Sequence, residues 1–281
     1  MYTRNGETIT AYARKLVVLS AGAIGTPAIL YDAEIHRENP NVGLWLRAHP
    51  GLGLDAIMPG DDDWGNERGY QWNLHHFVRD DDGNHIDTVV HASSNFGATT
   101  SWAAAQLGVY GRPYKDLMRR NRQRVGAFIF QLKPGFAGRV VGGVAKPVIL
   151  YPVADTSGLL EPKTMNDFLW AVRRVGEIYR RLGAVSIFPN PYQPLALLKS
   201  QLTQLVVNAN ALHPQSTCRA AANRELGVVD TNCMAFDVDN LMCCDASAIP
   251  QHISSNPNAM IMAVAARAGH FINTQILDRS N

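Results

Sequence analysis

Residues 16–27 read LVVLSAGAIGTP and predict a strand, a tight turn and a helix. The four apolar residues at the start are typical of a parallel strand that is buried on both faces. The small residues Ala21 to Gly25 suit a sharp turn, after which Thr26 is expected to cap a helix that begins at Pro27. A strand–turn–helix unit of this kind predicts an α/β layer.

A second unit of the same style lies near the C-terminus. Leu241 to Cys244 form another short apolar run, which predicts a buried strand that ends at Asp245. Asn256 and Pro257 then fit the N-cap and the first position of a helix. We expect the first and last units to belong to one layered domain, with the middle of the chain inserted between them.

The middle of the chain shows a different pattern. Strand-like runs follow one another on short, glycine-containing loops, which predicts an antiparallel sheet. These runs are Gln71–Arg79, His85–Ala92, Val125–Leu132, Gly138–Val141 and Pro147–Val153. One helix interrupts them, with apolar residues from Phe168 to Leu182 at helical spacing and Gly183 as its stop signal. The basic run Arg119–Arg124 is interpreted as a solvated helix face or loop.

Composition indicates an ordinary globular protein. The chain has 281 residues, of which 46% are hydrophobic and 18% charged, with a formal net charge of +2. Near-neutral charge gives no reason to expect nucleic acid or an anionic membrane as a partner. No apolar run reaches the roughly 20 residues that a membrane span needs. The four cysteines lack the spacing of a metal site or a disulfide framework, so we expect free thiols in the core, no metal, and a cytoplasmic location.

Several segments, in order along the chain, resemble the glucose–methanol–choline (GMC) family of oxidoreductases. They extend from residue 14 to residue 272, whereas residues 55–200 match only in architecture. The segments are Ala21–Leu30, Asn39–Gly43 with His49-Pro50, His213-Pro214-Gln215-Ser216-Thr217-Cys218-Arg219, Gly227–Asp230 with Asp245-Ala246-Ser247, and Asn256-Pro257 with Arg267.

The resemblance implies a fold, a cofactor and an activity. It implies an α/β plus α+β protein, in which part of a Rossmann-like FAD-binding domain carries an inserted antiparallel-sheet substrate domain. The boundaries implied are 1–50 for the first part of the FAD-binding domain, 51–225 for the substrate-binding domain, and 226–281 for the return and the active-site helix. The implied activity is FAD-dependent oxidation of the CH–OH group of a small-molecule alcohol.

The resemblance also assigns roles to single residues. By this resemblance His213 is the catalytic base, a role that imidazole suits because its pKa lies near working pH, and Asn256 is a residue that hydrogen-bonds the substrate oxygen. Residue type alone would make His213 a structural histidine and Asn256 only an N-cap. A nearby histidine, His252, could also point into the site, but a histidine in a surface loop is the preferred interpretation. The residues implied to bind the flavin are Ala21, Gly22, Asp245, Ala246, Pro257 and Asn258.

The sequence departs from the family at one point. The family holds the FAD pyrophosphate with a strand–GxGxxG–helix unit, and no GxGxxG occurs in this sequence. An alternative therefore stays open, in which the chain is a truncated or split half that is inactive alone. The partner required by this alternative is a complementing N-terminal half that carries GxGxxG.

Overall fold

The computed structural model describes residues 2–60, 74–79, 85–94, 110–120, 123–208 and 212–277, and shows a mixed α/β chain. The strands are β1 Tyr2–Arg4, β2 Glu7–Ile9, β3 Val17–Leu19, β4 Arg47–His49, β5 Gly51–Ile57, β6 Leu74–Arg79, β7 His85–Ser94, β8 Arg124–Gln131, β9 Arg139–Val141, β10 Val148–Leu150, β11 Ser186–Phe188, β12 Leu212–Gln215 and β13 Leu241–Cys243. The α-helices are α1 Gly22–Asp32, α2 Ile35–Glu38, α3 Arg112–Arg119, α4 Pro162–Arg181, α5 Leu195–Asn208 and α6 Asn258–Phe271.

Five of the described strands form one antiparallel sheet, in the order β11-β5-β8-β7-β6. The predicted antiparallel sheet is therefore confirmed for the runs that become β6, β7 and β8. The runs predicted at Gly138–Val141 and Pro147–Val153 pair with each other, as β9 and β10 in a separate two-stranded sheet, whereas β5 and β11 were not predicted as strands of the large sheet. The hairpin loop expected between β6 and β7, residues 80–83, lies outside the described residues. In the centre of the sheet, β5 pairs with β8 over the full length of β5, from Gly51 opposite Phe130 to Ile57 opposite Arg124.

Helix α4 covers this sheet together with α5. Their apolar faces and the sheet enclose a core in which Phe168, Val172 and Leu198 are each fully buried. The side chain of Glu161 caps α4 by accepting hydrogen bonds from the first-turn N–H groups of Lys163 and Thr164. The helix predicted from the Phe168–Leu182 pattern is confirmed. Gly183, at φ +87°, has the left-handed conformation that ends it.

Arg124, at the start of β8, corrects the interpretation of the basic run. Arg119 is exposed, but Arg124 is buried and pairs with buried Asp55 at 2.6 Å. Burial raises the pKa of Asp55, and the neighbouring guanidinium only partly opposes this effect. Arg124, the last residue of the basic run, thus lies inside the sheet region, where its charge is paired with Asp55 on the adjacent strand.

The first and last units of the chain form one small layer, which we call the β3–β13 layer. Leu241 to Cys243 pair in parallel with Val17 to Leu19, as expected for two strands of one α/β layer. Helices α1 and α6 share its core, which also holds three of the predicted core cysteines, Cys218, Cys233 and Cys243. The domain boundaries at 50/51 and 225/226 stay a prediction.

Both helix starts in this layer differ from the predictions. Helix α1 begins at Gly22 and contains Pro27, because Thr26 bonds back to the Ala21 N–H instead of opening the helix. Helix α6 begins at Asn258 with Pro257 as its N-cap residue and no side-chain capping bond. The prediction of Asn256 as the N-cap was therefore wrong.

The strand β3 also differs from the prediction that it is buried on both faces. Val17 and Val18 are each 44% exposed. Within the described residues, β3 pairs with β13 alone, so no neighbour covers its remaining side. The layer therefore presents apolar strand surface to solvent.

Candidate active site

Three histidines meet beside the ribbon formed by β4 and β12. His49 ends β4, His213 lies in the paired strand β12, and His252 lies in the loop before α6. The Nδ1 atoms of His49 and His213 are 2.9 Å apart, and the Nε2 atom of His49 lies 2.9 Å from the carbonyl oxygen of Ile253. The ring of His252 lies 4.5 Å from that of His49, centroid to centroid.

Burial keeps this cluster neutral at neutral pH. It lowers the pKa of His49 to about 4, an effect that the Ile253 carbonyl opposes and His213 reinforces. It lowers the pKa of His252 to about 3, with further lowering from the positive charge that His49 and Arg47 can carry. It also lowers the pKa of His213, which is only half buried. A neutral imidazole is the form that can accept a proton.

The backbone around His213 is unusual and firmly held. His213 and Ser216 have φ values of +64° and +74°, in the left-handed region that residues other than glycine rarely adopt. Past Ser216 the chain pairs with the segment after β13, since Ser216 N–H donates to the Ala246 carbonyl and Cys218 N–H to the Ser247 carbonyl. The half-buried imidazole is thus presented from a strained but well-bonded segment.

Asp245 joins the start of α1 to the end of β13. Its buried carboxylate accepts from the Gly22 N–H at 2.8 Å, the Thr26 hydroxyl at 2.5 Å and the Ser247 N–H at 2.7 Å. Three hydrogen bonds leave this carboxylate little capacity for a ligand. Its place at the α1 N-terminus also suits the helix dipole.

The structure brings some of the sequence-assigned residues together. The Gly22 N–H donates to Asp245, and the Ala21 N–H donates to the Thr26 hydroxyl, which itself donates to Asp245. The other assigned residues, Asn256, Pro257 and Asn258, lie at the entrance to α6, where Pro257 is buried and the two asparagines are exposed. The Ile253 carbonyl connects this loop to the histidine pair, three residues before Asn256.

Two of the histidines were underestimated from the sequence. His252 is not a surface residue, because both of its ring nitrogens are buried, and neither makes a hydrogen bond within the described chain. His49 was quoted only as part of a matched segment, and nothing in its spacing indicated contact with His213. The signal that could have found it is the position of His49 directly before Pro50, in a segment matched to the family.

Among the described residues, no group of three or more His, Cys, Asp or Glu side chains has an arrangement that could hold a metal ion. None of the helices in the described ranges combines the length and apolar character that a membrane crossing requires.

Comparison with known proteins finds one matching family model and several relatives of the same family. Residues 149–265 match the family model described as GMC oxidoreductase. An uncharacterised GMC-type oxidoreductase, y4nJ of Sinorhizobium fredii, is 25% identical over 90% of this chain and 48% of its own length. Human mitochondrial choline dehydrogenase is 24% identical over 98% of this chain and 50% of its own length.

Solved structures show the same fold. A formate oxidase of Aspergillus oryzae, described in terms of its FAD modification, superposes with a TM-score of 0.72 at 18% identity, covering 95% of this chain and 55% of that one. Pyridoxine 4-oxidase from Mesorbium loti gives a TM-score of 0.65 at 20% identity, covering 92% and 52%. The chain thus spans about half the length of the relatives that it matches.

These comparisons bear on two of the sequence-based predictions. The formate oxidase is described in terms of FAD modification, which agrees with FAD as the predicted cofactor. The mixed α/β architecture is that of the GMC fold. The chain is similar to GMC oxidoreductases, and its residues 149–265 match the C-terminal model of that family.

Proposed function

We propose that this chain contributes the proton-accepting side of an FAD-dependent oxidoreductase that acts on the CH–OH group of a small-molecule alcohol. The observation that carries the proposal is the neutral, half-buried His213, hydrogen-bonded through Nδ1 to His49 at 2.9 Å. A neutral imidazole held in one orientation is suited to general base catalysis.

Alcohol oxidation needs a base for the hydroxyl proton and an acceptor for the carbinol hydride. Bound FAD would supply the hydride acceptor. In the proposed reaction His213 takes the hydroxyl proton, and the amide of exposed Asn256 donates a hydrogen bond to the same oxygen. Because an amide does not titrate near neutral pH, Asn256 can orient the oxygen without competing for its proton.

The residues present fit a flavin on this side of the site. Helix α6 begins without a side-chain cap, so its first N–H groups and the positive end of its dipole are available to an anionic group. At Gly22 an added Cβ atom would project into open space. We propose that Ala21, Gly22, Ala246, Pro257 and Asn258 surround the cofactor.

Asp245 takes a different part in this proposal. Its carboxylate is engaged by Gly22, Thr26 and Ser247. Asp245 therefore acts by holding the α1 N-terminus against Ala246, and contributes to cofactor binding through the position of those neighbours.

We also propose a division of the chain into two domains. The β3–β13 layer would be part of the Rossmann-like FAD-binding domain, and the five-stranded sheet with α4 and α5 would be the inserted substrate domain. Two separate apolar cores, one for each region, support this division. The substrate would then bind between the two regions, near the histidine cluster.

A second candidate function is that of a half-enzyme whose site a GxGxxG-carrying segment completes. The exposed apolar surface of β3 favours it, together with Met260 and Met262 on α6, which are 47% and 60% exposed. Parallel sheets are normally covered on both faces, so a two-stranded one with exposed valines is an incomplete layer. A complementing N-terminal half is the partner that this candidate requires.

A flavin-binding experiment separates the two candidates. The chain is incubated with FAD, with and without a GxGxxG segment from a relative, and passed through a gel-filtration column. Flavin absorption that co-elutes with the chain alone supports the first candidate, and co-elution only with the added segment supports the second. No co-elution in either case contradicts both.

The base assignment is tested on the preparation that retains flavin. His213→Ala is expected to slow anaerobic flavin reduction by the alcohol about 10²–10⁴-fold, the usual contribution of a positioned base. His270→Ala, at an exposed position of α6, is the control and should keep the original rate. An unchanged rate in the His213→Ala variant would remove His213 from the proposed mechanism.

A further inference from the structure

We propose that His49 is a positioning residue, which fixes His213 in the Nδ1–H tautomer and leaves its Nε2 lone pair free to accept the substrate proton. The role of Nε2 in this inference rests on the proposed function. The tautomer itself follows from the hydrogen-bond chain that runs from Ile253 through His49 to His213.

The first step concerns His49 and the backbone. Its Nε2 atom lies 2.9 Å from the Ile253 carbonyl oxygen, and a carbonyl oxygen can only accept a hydrogen bond. The proton of neutral His49 must therefore be on Nε2. His49 is 1% exposed and its pKa is lowered to about 4, so a second proton on Nδ1 is excluded at neutral pH.

The second step concerns the two rings. With Nε2 protonated, Nδ1 of His49 is a lone-pair acceptor, and it faces Nδ1 of His213 at 2.9 Å. Two lone pairs at this distance would repel each other, so His213 must donate its Nδ1–H. The remaining nitrogen of neutral His213, Nε2, then carries the lone pair.

The consequence is a base with one defined reactive atom. When the substrate O–H bond breaks, its electron pair stays on oxygen and the proton forms the new Nε2–H bond. The imidazolium produced is oriented by His49, whose acceptor nitrogen is in turn fixed by the Ile253 carbonyl. In other enzymes, too, the catalytic base is held in its orientation by a hydrogen bond to a further residue.

The surroundings explain why the orienting group is a neutral histidine. His252 lies 4.5 Å from His49, and the positive charges of Arg47 and Lys133 act on His252. Phe130 adds an apolar ring 6.4 Å from His213. In this setting burial keeps each imidazole uncharged. Because the Ile253 carbonyl fixes the proton of neutral His49 on Nε2, His49 in turn fixes the proton of His213 on Nδ1.

The experiment is nitrogen NMR of the full chain labelled with ¹⁵N-histidine at pH 7, which distinguishes protonated from unprotonated ring nitrogens without flavin or substrate. We expect His213 to show a protonated Nδ1 and an unprotonated Nε2, and His49 the reverse. His49→Leu, of similar volume but without an acceptor, should remove the Nδ1–H preference of His213. His49→Asn places an amide oxygen near the lost nitrogen and should restore it.

Three controls complete the design. His270→Leu, at an exposed position, should leave the His213 signals unchanged. Thermal melting shows whether the His49 variants fold, and if His49→Leu does not, the original chain and His49→Asn decide the question. In the flavin-loaded preparation, His49→Leu should lower the rate of flavin reduction while His49→Asn retains it.

The inference is overturned if His213 carries its proton on Nε2 in the original chain, or if the Nδ1–H form persists in a folded His49→Leu variant. A failure of the proposed function looks different. In that case the tautomer responds to His49 as expected, but His213→Ala leaves flavin reduction unchanged.

Discussion

The two larger apolar cores in the described part of the chain differ in how completely they are closed. In the core between the five-stranded sheet and helices α4 and α5, Phe168 is fully buried. In the β3–β13 layer, Val17 and Val18 are 44% exposed and Met262 is 60% exposed. The first core is covered by residues of this chain, whereas the second leaves apolar side chains exposed that another group could cover. We therefore expect the first region to contribute more to stability, and the second to gain cover when another group binds.

The closed core should show the largest single-residue effect. Phe168→Ala removes a fully buried ring from α4 and is expected to lower the free energy of unfolding by about 3–5 kcal/mol. Ile178→Ala, on the same helix but 52% exposed, is the matched control and should change it by less than about 1 kcal/mol. Urea unfolding followed by circular dichroism measures both. Equal effects of the two substitutions would contradict the closed core.

The histidine cluster should make stability depend on pH. The folded-state pKa values of His49 and His252, about 4 and about 3, lie below the unfolded value of about 6.5. Below pH 6.5 the unfolded state therefore binds more protons, and stability falls as the pH drops towards 4. The slope for His49 approaches about 1.4 kcal/mol per pH unit.

Urea unfolding at pH 7 and pH 5 tests this prediction. His49→Asn should reduce the loss of stability between the two pH values, because one titrating group is removed from the cluster. His270→Gln, at an exposed position, controls for the loss of a histidine elsewhere. Equal stability of the original chain at both pH values would show that the cluster is not buried in its neutral form.

The open layer should show the smallest effect on stability and a separate effect on association. Val18→Lys is expected to change the free energy of unfolding by less than about 1 kcal/mol, because Val18 is already 44% exposed. It should, however, reduce self-association in light scattering, since a charge on an exposed strand opposes edge pairing. Val148→Lys, at 42% exposure on β10, is the matched control. If self-association falls equally in both variants, the β3–β13 layer is not the surface through which the chain associates.

Sequence reasoning succeeded where one local pattern determines the structure. The helical spacing around Phe168, followed by Gly183, predicted α4, and the short apolar runs near Val17 and Met242 predicted the two strands that pair in the β3–β13 layer. The order of matched segments predicted the family, because those segments lie in the parts of the chain that build the β3–β13 layer.

The failures involve partners that are distant in sequence. Arg124 is buried because Asp55 faces it from a neighbouring strand, and no local pattern shows that pairing. His49 contacts His213 across 164 positions, through the β4–β12 ribbon. The start of α1 was misplaced because Thr26 and Asp245 together support Gly22 as the first helical residue, and Asp245 is 219 positions from Thr26. Tertiary contacts of this kind override local capping preferences.

The central claim is that the β3–β13 layer is the flavin-facing part of the molecule. It is tested most directly by amide hydrogen exchange of the full chain with and without FAD, under the conditions in which flavin co-elutes. We predict that exchange slows in β3 and in the first turns of α1 and α6, while α4 and β8 are unchanged. Retained flavin with no slowing in β3 or α6, or with slowing confined to α4 and β8, would contradict the account.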